Sequence, residues 1–251
     1  MSKIKQEINS KLDVLAFGAH PDDVELSMSG TILKFAKLGH RVGIVDMTRG
    51  EMGSRGNADI RSIEARNSAK ILRLKVRENL CFEDGQIQDS VKVRLSVIKQ
   101  IRLYRPSLVF THYWDDPHPD HICASRIVSA ACYLSGLKKV VTDQPRFRPK
   151  KLIYFKLPYG VHPSFLVDIS RFFEKKMKAI NCFSSQLHNP KSKQPKTYLS
   201  VPEFLPSLRA LNQYYGSLIN STYAEAFFSK EAIAVEDPLE FFVKDAKVSN
   251  R

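Results

Sequence analysis

The sequence predicts a doubly wound α/β domain, a mostly parallel sheet flanked by helices. Three observations carry that expectation. Short apolar runs, such as residues 12–18, read as strands buried on both faces. Segments with helical spacing of apolar residues separate these runs. Glycine and proline mark several of the joins, as at Gly39 and at Arg105-Pro106.

The elements follow in order. The first strand, residues 12–18, stops at His20-Pro21, and a helix is expected over 25–38 with Gly39 as its stop. Residues 41–47 form a second strand. Residues 48–57 contain three glycines and must be a loop. A helix over 60–74 and a short strand at 80–82 come next. A helix over 91–104 is ended by Arg105-Pro106, and residues 107–112 are the following strand. A loop at 115–119 leads into a helix over 120–134, and a further strand lies at 152–157. Residues 190–196 read as exposed loop. With no internal repeat and no linker, residues 1–251 are expected to be one domain, with 1–11 and 244–251 as peripheral tails.

The chain has 251 residues, 43% of them hydrophobic, enough to bury a large core. No run of 18 apolar residues exists, so no membrane span is expected. The polar opening segment lacks the apolar stretch of a secretory signal, which points to the cytoplasm. The cysteines, Cys81, Cys123, Cys132 and Cys182, form no C-x-x-C pair and read as reduced packing groups. The net charge of +13 is spread over several segments rather than concentrated on one helix, and no nucleic-acid motif is present. A nucleic-acid partner is therefore not expected, whereas an anionic small molecule suits the charge.

Two motifs stand out. His20-Pro21-Asp22-Asp23 follows the first strand, and His118-Pro119-Asp120-His121 follows the strand at 107–112 and its loop. Ligands bind outside the carboxyl ends of strands in open α/β sheets, so the two motifs can share one cleft. Each carries a proline where a helix would begin. If a helix starts at Pro21, His20 and Asp23 point to one side. With His121 they make two imidazoles and one carboxylate, leaving a position for water as catalytic zinc sites require. The same set suits iron(II). Asp22 would then take a proton from water, and His118 would act opposite as an acid or charge stabiliser, oriented by Asp120 or another carboxylate. Singly, a His-Pro pair is a turn and an Asp-Asp pair a solvated helix start. Two such motifs, both at strand ends, make a site the better reading. There is no G-x-S-x-G elbow or Walker lysine loop, and residues 50–56 lack the dinucleotide pattern.

The text AFGAHPDDVELSMSGTI, then GEMGSRG, RSIEARNSAKIL and HPDH, resembles the PIG-L, or LmbE-like, deacetylase family over nearly the whole chain. SFLVDIS and TYAEAF resemble the subgroup that makes bacillithiol, the N-acetylglucosaminyl-malate deacetylases. The resemblance implies a Rossmann-like fold, a homo-oligomer and a zinc ion on His20, Asp23 and His121, with Asp22 as general base. It implies that His118 stabilises the tetrahedral intermediate and protonates the leaving amine. It also implies that Arg61 reaches the substrate and that Asp84 binds sugar hydroxyls. Against these, Arg61 could pair with Glu64 on its own helix, and Asp84 could be a turn residue. Two departures stand. Val24 precedes Glu25 where many members read HPDDE, a variant familiar in the bacillithiol subgroup. The family's oxyanion-side tyrosine aligns with Phe204, and Tyr198 lies near it in sequence.

The expected function is therefore a zinc-dependent amidohydrolase that deacetylates an N-acetylglucosaminide, foremost N-acetyl-α-D-glucosaminyl L-malate. Another N-acetylglucosaminyl conjugate or a sugar-thiol conjugate amide is the alternative within the enzyme class. A catalytically silent sugar- or nucleic-acid-binding protein is the alternative outside it, and intact Asp22 argues against that.

Overall fold

In a computed structural model, residues 11–243 are described. The order is β1 (Val14–Gly18), α1 (Asp23–Lys37), β2 (Val42–Thr48), α2 (Ala58–Leu72), β3 (Val76–Phe82), α3 (Val91–Tyr104), β4 (Leu108–His112), α4 (Pro119–Leu134) and β5 (Lys151–Phe155). Then come β6 (Phe165–Asp168), α5 (Phe173–Ile180), a 3-10 turn (Tyr198–Ser200), α6 (Phe204–Ser217), β7 (Ala224–Phe227) and α7 (Pro238–Val243).

β1 to β5 form one parallel sheet in the order β3-β2-β1-β4-β5. The continuous apolar runs are explained by burial on both faces. Leu15 and Phe17 of β1 join α3 and α4 in one core, with Val97, Ile101, Ile127 and Val128. Val14 and Ala16, pointing the other way, pack with Met28 and Ile32 of α1, Leu72 of α2 and Ala179 of α5. Each large side chain so buried contributes about 1.5–3 kcal/mol. The chain grows outward from β1 to β3 and then returns to lay β4 on the other side of β1. That reversal leaves a crevice beyond the ends of β1 and β4, the usual ligand position in such sheets.

Three expectations need correction. β3 is seven residues long, not three, because this edge strand carries Arg77, Glu78 and Asn79 and so lacks an apolar pattern. β5 ends at Phe155, where Lys156 turns into a left-handed conformation (φ 57°). Pro21 does not begin a helix: α1 starts at Asp23, and Asp22 precedes it at φ 113°, whereas Pro119 does open α4.

β6 and β7 pair antiparallel, and β7 runs on to a bridge from Phe228 to Tyr154 of β5. α1 breaks its helical geometry at Met28 (φ −142°, ψ 15°). Glu225 of β7 repairs the break, accepting from the N–H groups of Gly30 (2.9 Å) and Thr31 (2.7 Å). Lys176 of α5 donates to Glu225 (2.7 Å) and to the carbonyl of Leu26 (2.9 Å), and both charged side chains are fully buried. No helix among the described residues is long and apolar enough to cross a membrane. The four cysteines are free, as expected. Residues 190–196 carry no helix or strand, while the expected tails at 1–10 and 244–251 lie outside the described residues.

Candidate metal centre

The crevice brings both motifs together. His20, two residues past β1, puts Nδ1 3.3 Å from Asp23 Oδ2, while its backbone N–H donates to the same oxygen at 2.7 Å. His121, in the first turn of α4, has Nε2 3.2 Å from Asp23 Oδ1. Donor atoms of His20, Asp23 and His121 lie within 4.8 Å of one another, all on buried residues. A divalent ion fits this set: His121 Nε2 is buried and has no hydrogen-bond partner, an orphan that a cation would satisfy.

Electrostatics point the same way. Burial alone would lower His20, but Asp120, Asp23 and Asp84 hold it well above its usual value. Burial likewise works against His121, which Asp23 and Asp116 raise. Asp23 is held well below the usual carboxylate range, against burial, chiefly by His121.

Asp22 is 5% exposed, and burial pushes it up to about 7, with Arg61 pulling the other way. Its φ of 113° is strained for a residue with a side chain. Arg61 holds it there. The guanidinium bonds to Asp22 Oδ2 (3.0 Å), to the carbonyl of Pro21 and to the carbonyl of Gly50 (3.4 Å). Gly50 sits at φ 67°, a conformation that favours glycine, and a Cβ there would push that guanidinium aside. Arg61 thus pairs with Asp22 and not with Glu64, which instead accepts from Ser184 and Ser185.

Asp84 puts Oδ1 3.0 Å from His20 Nε2, and its Oδ2 accepts from the N–H of Met52 (2.8 Å). Asp120 faces His20 Nε2 (3.3 Å) and accepts from the N–H groups of Gly85 and Ile87. Its carboxylate is thus engaged away from the His118 ring, although it was one candidate for orienting that ring. What reaches His118 is the Asp120 backbone N–H, donating to Nδ1 at 3.2 Å as a helix cap. This bond leaves Nδ1 unprotonated and puts the ring proton on Nε2. Burial, with His20 and His121 nearby, lowers His118 below its ordinary value, which favours the neutral ring as a donor through Nε2. Phe204 packs in an apolar cluster with Leu187 and Met177, and Tyr198 stands exposed with its ring 5.4 Å from Phe204.

Sequence reasoning missed three residues. His112 ends β4 and stacks on His121 with ring centres 4.1 Å apart. Burial lowers it to about 3, and its Nε2 accepts from the N–H of Ala19, so it is a neutral platform. Asp116 and Lys156 both reach His121 Nδ1, at 2.8 and 2.9 Å. The acidic Asp115-Asp116 pair just before His118 was a usable signal; Lys156 had none.

Comparison with known proteins agrees with this geometry. The family model for PIG-L, GlcNAc-PI de-N-acetylase, matches residues 15–132. The chain is 30% identical to diacetylchitobiose deacetylase of Thermococcus kodakarensis, over 89% of this chain and 85% of that protein. Among solved structures, a conserved protein of Thermus thermophilus superposes with TM-score 0.81 at 35% identity, covering 89% of this chain and 97% of the other. The N,N'-diacetylchitobiose deacetylase of Pyrococcus horikoshii gives 0.75 at 27% identity, covering 90% and 86%. The fold, the clustered histidines and aspartates and these relatives lead to one conclusion: the chain belongs to the PIG-L, or LmbE-like, family and is a metal-dependent deacetylase.

Proposed function

We propose that this protein is a zinc-dependent amidohydrolase that removes the N-acetyl group from N-acetyl-α-D-glucosaminyl L-malate, a step of bacillithiol biosynthesis. The observation that carries the chemistry is the buried His20–Asp23–His121 donor set beside a carboxyl tuned to about 7. The related diacetylchitobiose deacetylases support an acetylated amino sugar, and the net charge of +13 supports an anionic aglycone. That reading places the protein in the cytoplasm, as a homo-oligomer, with neither nucleic acid nor membrane as partner.

His20, Asp23 and His121 would hold the ion. When bound, it would polarise the amide carbonyl and acidify a water for attack. The chain's own residues do the rest. Asp22 takes the proton of the attacking water, and a carboxyl near neutrality can both accept that proton and return it. His118 donates its Nε2 hydrogen to the carbonyl oxygen as charge builds there. The C–N bond then breaks, acetate leaves, and the proton on Asp22 passes to the amine. Arg61 keeps Asp22 aimed, and Asp84 binds sugar hydroxyls at the edge of the donor set.

The test is free-amine release by zinc-loaded protein from N-acetylglucosaminyl-malate, diacetylchitobiose and N-acetylglucosamine. A clear preference in kcat/KM for the malate conjugate is expected. Equal or better turnover of diacetylchitobiose would refute the substrate, and no release from any of them would refute the activity.

A further inference from the structure

Three groups meet at one nitrogen of His121. Asp116 Oδ1 lies 2.8 Å from Nδ1, Lys156 Nζ lies 2.9 Å from the same atom, and Lys156 Nζ lies 3.1 Å from Asp116 Oδ2. A neutral imidazole cannot serve both neighbours. If Nδ1 carries the proton, it donates to Asp116, and Lys156 donates to the other carboxylate oxygen. If Nδ1 is bare, Lys156 donates to it, the proton moves to Nε2, and Asp116 Oδ1 faces a lone pair.

The other end of the ring decides between them. His121 Nε2 is buried and makes no hydrogen bond, although Asp23 is close. A proton placed there would be buried without an acceptor in bonding geometry, a cost of about 1–3 kcal/mol. A lone pair there is what a cation needs. The arrangement with Nδ1–H on Asp116 satisfies every polar group except the one that points into the donor set.

We propose that Asp116, with Lys156 as its counter-charge, is the positioning residue that holds His121 in its metal-ligating tautomer and thereby sets the affinity of the centre for a divalent cation. The inference rests on His121 being a ligand. Asp116 is itself fixed from two sides. Its Oδ1 also accepts from the His118 N–H (2.8 Å), and its side chain is only 3% exposed. Lys156 approaches from solvent with a side chain 42% exposed, delivered by the left-handed turn that ends β5. Its ammonium offsets the Asp116 charge and occupies the oxygen that His121 does not use.

The experiment measures zinc affinity of metal-free protein by competition with a chromogenic chelator, for wild type, Asp116→Ala, Asp116→Asn and Lys156→Met. Thermal unfolding of the metal-free forms shows that each is folded. Asp116→Ala should bind zinc about ten- to a hundredfold more weakly, the usual scale for a group orienting a histidine ligand. Asp116→Asn keeps an acceptor oxygen and should recover most of that loss. Lys156→Met removes the competing donor and should bind at least as tightly as wild type. Long-range proton–nitrogen NMR of the zinc-loaded protein should place the His121 ring proton on Nδ1. Unchanged affinity in Asp116→Ala, equal losses in both Asp116 variants, a loss in Lys156→Met matching Asp116→Ala, or ligation through Nδ1 would each overturn the proposal. Failure of the wild type to bind zinc would bring down the metal reading as well, so the two failures are distinguishable.

Discussion

Replacing Asp22 by asparagine should make the metal-free protein more stable and the loaded protein nearly inactive. Asparagine matches the neutral carboxyl in size and keeps a partner for Arg61. Ionised Asp22 is expensive because it is buried, which is why its value rises from the ordinary 3.8 to about 7. The folded value lies above the unfolded one, so the folded protein holds the extra proton between roughly pH 4 and 7 and loses stability as pH rises through that window. A carboxyl raised by about three pH units costs about 4 kcal/mol once ionised. Asp22→Asn should therefore match wild type near pH 4 and exceed it by up to about 4 kcal/mol at pH 8, read from denaturant midpoints of metal-free protein. With zinc bound, the variant should lose about a hundredfold or more in kcat, because the amide cannot accept a proton. Two results would refute the reasoning: a stability difference independent of pH, or near-normal turnover in zinc-loaded Asp22→Asn.

Other outcomes follow from the same geometry. Because carboxylates raise both His20 and His121, a cation competes with protons there; affinity for zinc should climb with pH and binding at acidic pH should release protons, counted by calorimetry in buffers of different ionisation heat. Binding without proton release would contradict this. His118→Ala should keep its zinc by elemental analysis yet lose about a hundredfold in turnover, and loss of the metal instead would make His118 a ligand. Gly50→Ala should drive Arg61 off Asp22 and depress kcat, and a crystal structure with the Arg61–Asp22 pair intact would show the loop to be more forgiving than its geometry implies. Glu225→Gln strands the buried Lys176 ammonium and should destabilise by about 3–5 kcal/mol in denaturant unfolding, with a loss below about 1 kcal/mol refuting the pairing.

The central strands and both motifs were legible because a strand buried on two faces is apolar along most of its length: β1 is wholly so, and β2 departs from it only at Asp46 and Thr48 near its end. The edge strand β3 was half hidden because Arg77 reaches inward to Asp46 and Glu25 rather than outward, so this half-buried strand carries polar residues on both sides. β6 and β7 are four residues each and carry Asp168 and Glu225, too short and too polar to show a period. Within the site, residues adjacent to the prolines of the two motifs were readable from spacing. His112 and Lys156 were not, because their roles come from tertiary meetings at His121 that no local pattern encodes, and the Asp115-Asp116 pair marked Asp116 as a candidate without showing that it meets His121. The neutral state of His118 was out of reach for a related reason: its cap bond comes from a backbone N–H, which every sequence possesses.

The break in α1 has a consequence for how the molecule is made. The helix that begins beside Asp22 cannot satisfy its own backbone at Met28, and the carboxylate that completes it lies 194 and 195 residues further along. During synthesis the histidine and aspartates of the first motif emerge early, but their helix stays unfinished until Glu225 has left the ribosome. Contacts of such sequence separation form late in folding. A chain that ends before β7 is therefore expected to hold a divalent ion less well than the whole chain, although it carries every residue of the donor set. Zinc retention by a fragment ending before β7, equal to that of the whole chain, would refute that expectation.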